Sequence, residues 1–249
     1  MKKLKLYAYR LIPLILFLCF WEYIISPVGK NEFLFSKPSK IFNALYNNIV
    51  NGILIEDFLI TGYETIAGFI IGSIAGVVFG FILWYSKRVA YISKPYIMAL
   101  GSIPIFALAP MTIIWFGTGL FAKIIMAALS VFVVAVVQTF IGASNVNIHQ
   151  TILLKSFGAN RFTIFRKVVL PSSLIWVLSS FKINIGFALL GAFIGEFISA
   201  EKGLGFRIIK SSGLYNTSLL LAALFLLIVL AFILNWLVQI LEKKLIYWK

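Results

Sequence analysis

Few residues of this chain could do chemistry, and they do not group. There is one cysteine, Cys19, and one histidine, His149. A metal site or a nucleophile–base pair needs several His, Cys, Asp or Glu at close spacing, and only isolated ones occur. No GxxxxGK[ST] phosphate loop is present; the nearest fragment, Gly29-Lys30, lacks the upstream glycine and the Ser/Thr. The chain therefore does not bind ATP by that route. What remains are charges set in apolar runs, which are costly in a membrane and point to function. Lys182 lies roughly eleven residues beyond Pro171, about 16 Å along a helix, near the midplane of a span. A cation facing a path would suit an anionic or polar solute. A contact between subunits or with backbone, or a side chain reaching back to the surface, is an equal reading. Glu196, near the outer end of the same run, reads as a structural pair or gate element more than as a proton relay. Pro104 and Pro110 stand in an uncharged run and should bend or unwind a helix there. Such a break shapes a path, or is ordinary kinking.

These residues need a membrane to position them. Of 249 residues, 61% are hydrophobic and 12% charged, against about a quarter charged in a soluble domain. Lys and Arg number 22 and Asp and Glu 8. The cations fall between apolar runs, which fits the positive-inside rule and not a nucleic-acid surface.

Six apolar stretches are long enough to span. The first, about 11–27, follows a basic start without a small-x-small cleavage site, so it reads as a retained helix that also targets the chain. An amphipathic helix from about Pro38 to Val50 follows and lies at the interface. The second span, about 58–85, carries Gly68, Gly72, Gly76 and Gly80 every fourth residue, a smooth ridge that lets another helix backbone approach. The third, about 95–116, starts at Pro95 and holds Pro104 and Pro110. The others are about 120–142, 171–198 and 214–241. This divides the chain into 1–57, a first helix plus an external segment, and 58–249, a core of five spans. Six spans put both termini on one side. Placing them inside gives the inner segments, with Lys87, Arg88, Lys94, Lys155, Arg161, Arg166 and Lys167 among others, about twice the cations of the outer ones, the arrangement the rule favours.

Between the fourth and fifth spans lies "HQTILLKSFGANRFTIFRKVVLPSS". A short helix breaks at Gly158. A second follows with Phe162, Phe165 and Val169 on one side, Ile164 and Val168 beside them, and Arg161, Arg166 and Lys167 around the rest. Pro171 suits the first turn of the next span. The pattern alone fits either a docking helix, about 147–170, or a basic loop that anchors topology.

The spacing Gly158-Ala159, Val168, Leu170-Pro171 resembles the cytoplasmic signature of permease subunits of ABC importers. "FSKPSKIFNAL", "TGYETIAGFIIGSIAGVVFGFIL", "IPIFALAPMTIIWFGTG" and "FIGEFISAEKGLGFRI" are similar to further motifs of that family, the last two to its nitrate/sulfonate/taurine branch. The chain departs from it in two places: Ile152-Leu153-Leu154 replaces the Glu-Ala-Ala triplet, and Glu64 replaces the usual arginine. The resemblance implies an all-α, polytopic type I importer permease, multi-pass in the bacterial inner membrane. It implies a second permease copy, two ATPase subunits that bind ATP and magnesium in place of this chain, and an extracytoplasmic solute-binding protein. It places the ATPase-docking coupling helix at Gly158, Ala159, Arg161, Phe162, Phe165, Arg166, Leu170 and Pro171. The solute would be a sulfonate, taurine or nitrate-like anion, or a heterocycle like a thiamine precursor. The chain would be a permease and not an enzyme. The alternative, an ion-coupled secondary transporter, would favour an inverted repeat and paired acids in the helices; neither is clear.

Overall fold

The computed structural model describes residues 12–13, 15–25, 30–199 and 201–245, all helix and connection. A short apolar helix, α1 (Ile15–Ile24), and α2 (Lys30–Phe35) precede α3 (Pro38–Val50). The long helices α4 (Ile53–Tyr85), α7 (Leu120–Ser144) and α10 (Leu170–Ser199) form the centre. Between α4 and α7 lie α5 (Lys87–Ser102) and α6 (Ala109–Phe116). α8 (Ile148–Ser156) and α9 (Arg161–Ile164) join α7 to α10. α11 (Leu204–Gly213) and α12 (Thr217–Leu245) complete the chain. Four described helices are long and apolar enough to cross a membrane, and five if α5 and α6 count as one bent span. The first expected span lies partly outside the described residues.

α7 is the axis, because small residues let two helices reach its backbone. The glycine ridge of α4 faces it. A methyl on Gly76 would fall on Ala135, one on Gly72 would lie 2.9 Å from the Val131 Cβ, and one on Gly80 would lie 2.6 Å from the Thr139 Cβ. From the other side, a methyl on Gly191 of α10 would lie 2.7 Å from the Met126 carbonyl. Without a hydrophobic drive between helices in lipid, this close van der Waals contact is the main source of association. A second core joins α4, α10, α11 and α12 through Leu54, Ile185, Leu189, Leu204, Leu230 and Leu234. α3 lays Leu45 and Ile49 on that core and leaves Phe42, Tyr46 and Val50 exposed. Its first turn is capped from outside: the Ser39 N–H and hydroxyl donate to Glu22 at 3.0 and 2.7 Å.

Three boundaries differ from the sequence reading. The division at 57/58 falls inside α4, which begins at Ile53. Pro95 does not start the third span: the Ser86 side chain accepts the Val89 N–H at 3.3 Å and starts α5 at Lys87, leaving Pro95 inside the helix. The break comes at Ile103-Pro104. Ile103 is extended, as the residue before a proline is driven to be, and the helices on either side are bent by 96°. Pro110 sits in the first turn of α6, where its missing N–H costs nothing. Nor does the segment before Pro171 end there. Arg161–Ser199 is one continuous helix, with a π turn at Phe165–Val169 in which the Leu170 N–H bonds the Phe165 carbonyl. The wider turn carries the ring of Pro171 past the carbonyl it would strike in a regular helix.

A leucine at Gly76 should abolish the close packing. The expected outcome is loss of the monodisperse peak in size-exclusion chromatography of the solubilised protein. Gly186→Leu, where a methyl meets nothing within 4 Å, should keep that peak; equal behaviour of the two variants would remove the ridge from the packing.

Candidate functional site

The densest polar cluster gathers where α4, α10 and α11 meet. The first backbone N–H groups of a helix have no partners inside it, and at α11 side chains from two other helices supply them. The Gly203 N–H donates to Asp57 Oδ1 at 2.8 Å, the Leu204 N–H to Thr61 Oγ1 at 2.9 Å and the Gly205 N–H to Glu196 Oε2 at 2.7 Å. The Thr61 hydroxyl donates to Glu196 Oε1 at 2.6 Å, and Arg207 Nε to Asp57 Oδ2 at 2.6 Å. Asp57, Thr61 and Glu196 are all buried. Gly203 has φ +108°, and a methyl on it would collide with the Glu196 carboxylate. Glu196 is thus a clamp holding the α10–α11 corner.

One helical turn below Thr61 sits Glu64, fully buried, with Lys123 Nζ of α7 at 3.8 Å. Neither Glu64 oxygen has a hydrogen-bond partner among the described residues. The two side chains line a cavity of about 310 Å³, together with Thr118, Glu201 and Lys202. Lys123 therefore supplies the buried cation facing the acid at position 64.

Lys182 is not a free midplane cation. Its Nζ lies 2.5 Å from Glu242 Oε2, which joins α10 to the last turns of α12. The pair ties Lys182, near the middle of the continuous helix Arg161–Ser199, to that end of α12.

The backbone break at Ile103-Pro104 lies beside the middle of α7: a methyl on neighbouring Gly101 would touch Val133 Cγ1 at 3.4 Å. Residues 101–104 are exposed, as are Phe106, Met111 and Trp115 beyond them.

At the other end lies the basic segment. Asn147 caps α8 by accepting the His149 N–H at 2.9 Å, Gly158 ends it with φ +78°, and Asn160 caps α9 by accepting the Thr163 N–H at 2.8 Å. The apolar residues then part company. Phe165 turns inward, its ring centroid 5.3 Å from Phe81 and 5.8 Å from Trp84. Val168 and Val169 are buried, and Ala159 and Leu170 half-buried. Arg161 stacks over Tyr85 at 5.1 Å. Phe162 stays 60% exposed, with Arg166 and Lys167 also outside. The exposed apolar surface is completed by Ile148, Ile152, Leu153 and Phe157, the last 78% exposed. Phe165 is therefore part of this chain's own packing, and Phe157, absent from the sequence reading, takes its place on the open face. The only sequence signal for Phe157 was its position before Gly158. Asp57, Thr61 and Glu242 gave none, because each finds its partner far along the chain.

Glu196→Gln keeps the shape but puts an amide group against one of two donors. Gly203→Ala brings strain at positive φ as well. Both should lower the thermal unfolding midpoint of the solubilised protein by several degrees, Gly203→Ala more. An unchanged midpoint in both would mean that the clamp carries no stability.

The description of binding-protein-dependent transport system inner membrane components matches residues 68–247. Among similar proteins, the riboflavin transport system permease protein of Chloroflexus aurantiacus is 28% identical over 96% of this chain and 89% of its own length. The putative aliphatic sulfonates transport permease protein of Bacillus subtilis is 26% identical over 96% of this chain and 86% of its own. A probable ABC transporter permease protein of Haemophilus influenzae is 26% identical over 89% and 91%. An inward-facing structure of the MetNI methionine ABC transporter contains a chain that superposes with a TM-score of 0.70 at 18% identity, covering 78% of this chain and 97% of that one, a likeness of fold. With the match running from the glycine ridge to the last turn of α12, the chain belongs to the family of binding-protein-dependent transport system inner membrane components, the permeases of ABC transporters.

Proposed function

We propose that this chain is the permease subunit of an ATP-driven importer, and that its solute passes along the broken span α5–α6. The observation that carries this is the exposed break at Ile103-Pro104 beside the middle of α7. Backbone that leaves the helical ladder at that depth does not face lipid; it lines a wet cavity or is covered by protein. A second permease copy supplies the cover, and the path runs between the two. Six spans with both termini in the cytoplasm, the first being the helix that includes α1, agree with the distribution of cations. The membrane core then begins with α4, and the segment before it adds the first span and, in α2 and α3, a stretch on the outer side.

ATP and magnesium belong to two partner ATPases. α8 and α9 dock on them, with Ile148, Ile152, Phe157 and Phe162 as the apolar face and Arg166 and Lys167 at its rim. A solute-binding protein delivers the cargo from outside. The pairing of Lys182 with Glu242 withdraws one of the sequence's two reasons for expecting an anion and leaves the family resemblance as the other. The exposed aromatic side chains of the broken span, Tyr96, Phe106 and Trp115, favour a small planar heterocycle. Relatives whose names carry riboflavin and formylaminopyrimidine agree with that choice, and those named for sulfonates and taurine keep the anion as the competing cargo.

In liposomes holding the chain, its ATPase and its binding protein, uptake should require ATP on the ATPase side. Uptake driven by an ion gradient without ATP would replace this reading with an ion-coupled carrier. Changing Phe157 and Phe162 together to Asp should reduce co-purification of the ATPase at least tenfold and leave membrane insertion intact. Phe165→Asp should instead lower the yield of folded chain. Undiminished co-purification in the first variant would take the docking role from this face.

A further inference from the structure

On α5, Lys87, Tyr91, Lys94 and Met98 recur at i, i+4, i+7 and i+11, so they share one face of the helix. That face walls a cavity of about 420 Å³, closed on the far side by Leu83 of α4 and by Val137 and Phe140 of α7. Apart from the two lysines and Tyr91, its lining is apolar. α5 has no buried residue, and Tyr91 is 85% exposed. The helix contains no acid, and among the described residues neither lysine has a carboxylate partner. Lys87 follows directly on the end of α4, at the same end of the bundle as the basic segment, where Arg161 reaches the Trp84 carbonyl. Lys94 is about 10 Å further along the helix, within reach of the boundary by extending its stem.

We propose that this groove between α5 and α7 is a binding site for one anionic phospholipid. The phosphate sits between the Lys87 and Lys94 ammonium groups, with the Tyr91 hydroxyl as a third donor, and an acyl chain lies along Met98, Val137 and Phe140. The commitment to a lipid rests on charge and shape together. Two cations without a counter-charge call for an anion, and the long apolar wall beneath them calls for its tail. A soluble anion would leave the wall uncovered, and a neutral lipid would leave the cations uncompensated. The inference concerns a lipid contact, so it stands apart from which solute the protein carries.

The test is native mass spectrometry of the full chain purified from membranes, with phosphatidylglycerol and phosphatidylcholine as probes. The wild type should retain phosphatidylglycerol through detergent washing and not phosphatidylcholine. Lys87→Gln with Lys94→Gln should lower that retention at least tenfold. Lys243→Gln with Lys244→Gln, a charge-matched change of two exposed lysines at the end of α12, should leave it unaltered. Equal retention of both lipids, or an equal loss in the two double variants, would overturn the site. So would a disulfide between two chains through Tyr91→Cys in a Cys19→Ser background in lipid-replete membranes, because a second copy would then fill the groove. Should the lysine pair variant fail to fold, Val137→Trp, which fills the apolar half, should reduce retention by a similar factor; undiminished retention there would also refute the proposal.

Discussion

A helix that starts inside a low-dielectric bundle presents backbone donors that water cannot reach. At α11 those donors are the N–H groups of Gly203, Leu204 and Gly205, and they are met by Asp57, Thr61 and Glu196. An acceptor left out here would cost on the order of 1–3 kcal/mol. The rest of that end of the bundle depends on this closure. It fixes where α10 stops, turns the chain into α11, and brings α11 against the start of α4. Leu204 and Ile208 can then enter the shared core with Leu54 and Leu230. The glycines at 203 and 205 serve it, since a side chain at 203 would occupy the space of the Glu196 carboxylate and one at 205 would press on the Phe193 carbonyl and the Glu196 Cβ.

Much of this architecture was legible in the sequence. Hydropathy and the pause at Ser36-Lys37 place α3 at Pro38–Val50, as found. The four-residue glycine period announces a close helix contact, and α7 provides it within the same chain. Gly158 is the break expected of it. Two of the failures, at Lys182 and Glu64, share one cause, since a local pattern carries no information about a partner distant in the chain. Lys182 looked like a cation exposed to a path because Glu242 is on another helix. Glu64 looked like a lone departure from a family pattern, yet Lys123 stands 3.8 Å away. Pro95 looked like a helix start because proline favours first turns, but the Ser86 cap begins α5 earlier.

The basic segment shows the same limit at finer scale. Helical periodicity put Phe162 and Phe165 on one face. The structure divides them, because Trp84 and Phe81 at the end of α4 form an aromatic pocket that Phe165 fills. The apolar surface this leaves open is carried largely by α8, where Ile152 and Leu153 stand in place of a Glu-Ala pair. A partner meeting this face would find it greasier than the family signature suggests.

The π turn at Phe165–Val169 has a consequence for the orientation of everything before it. It accommodates one residue more than a regular turn would, and one residue is about 100° of helical rotation. That residue acts as a phase setter between two halves of a single rod. Losing it would swing Arg161, Phe162 and the whole of α8 around the axis of α10 by more than a quarter circle. The aromatic pocket of α4 would then face a different side chain, while no residue inside the membrane would have moved. The angular address of the surface patch is thus written in the length of one turn and not in the composition of the patch.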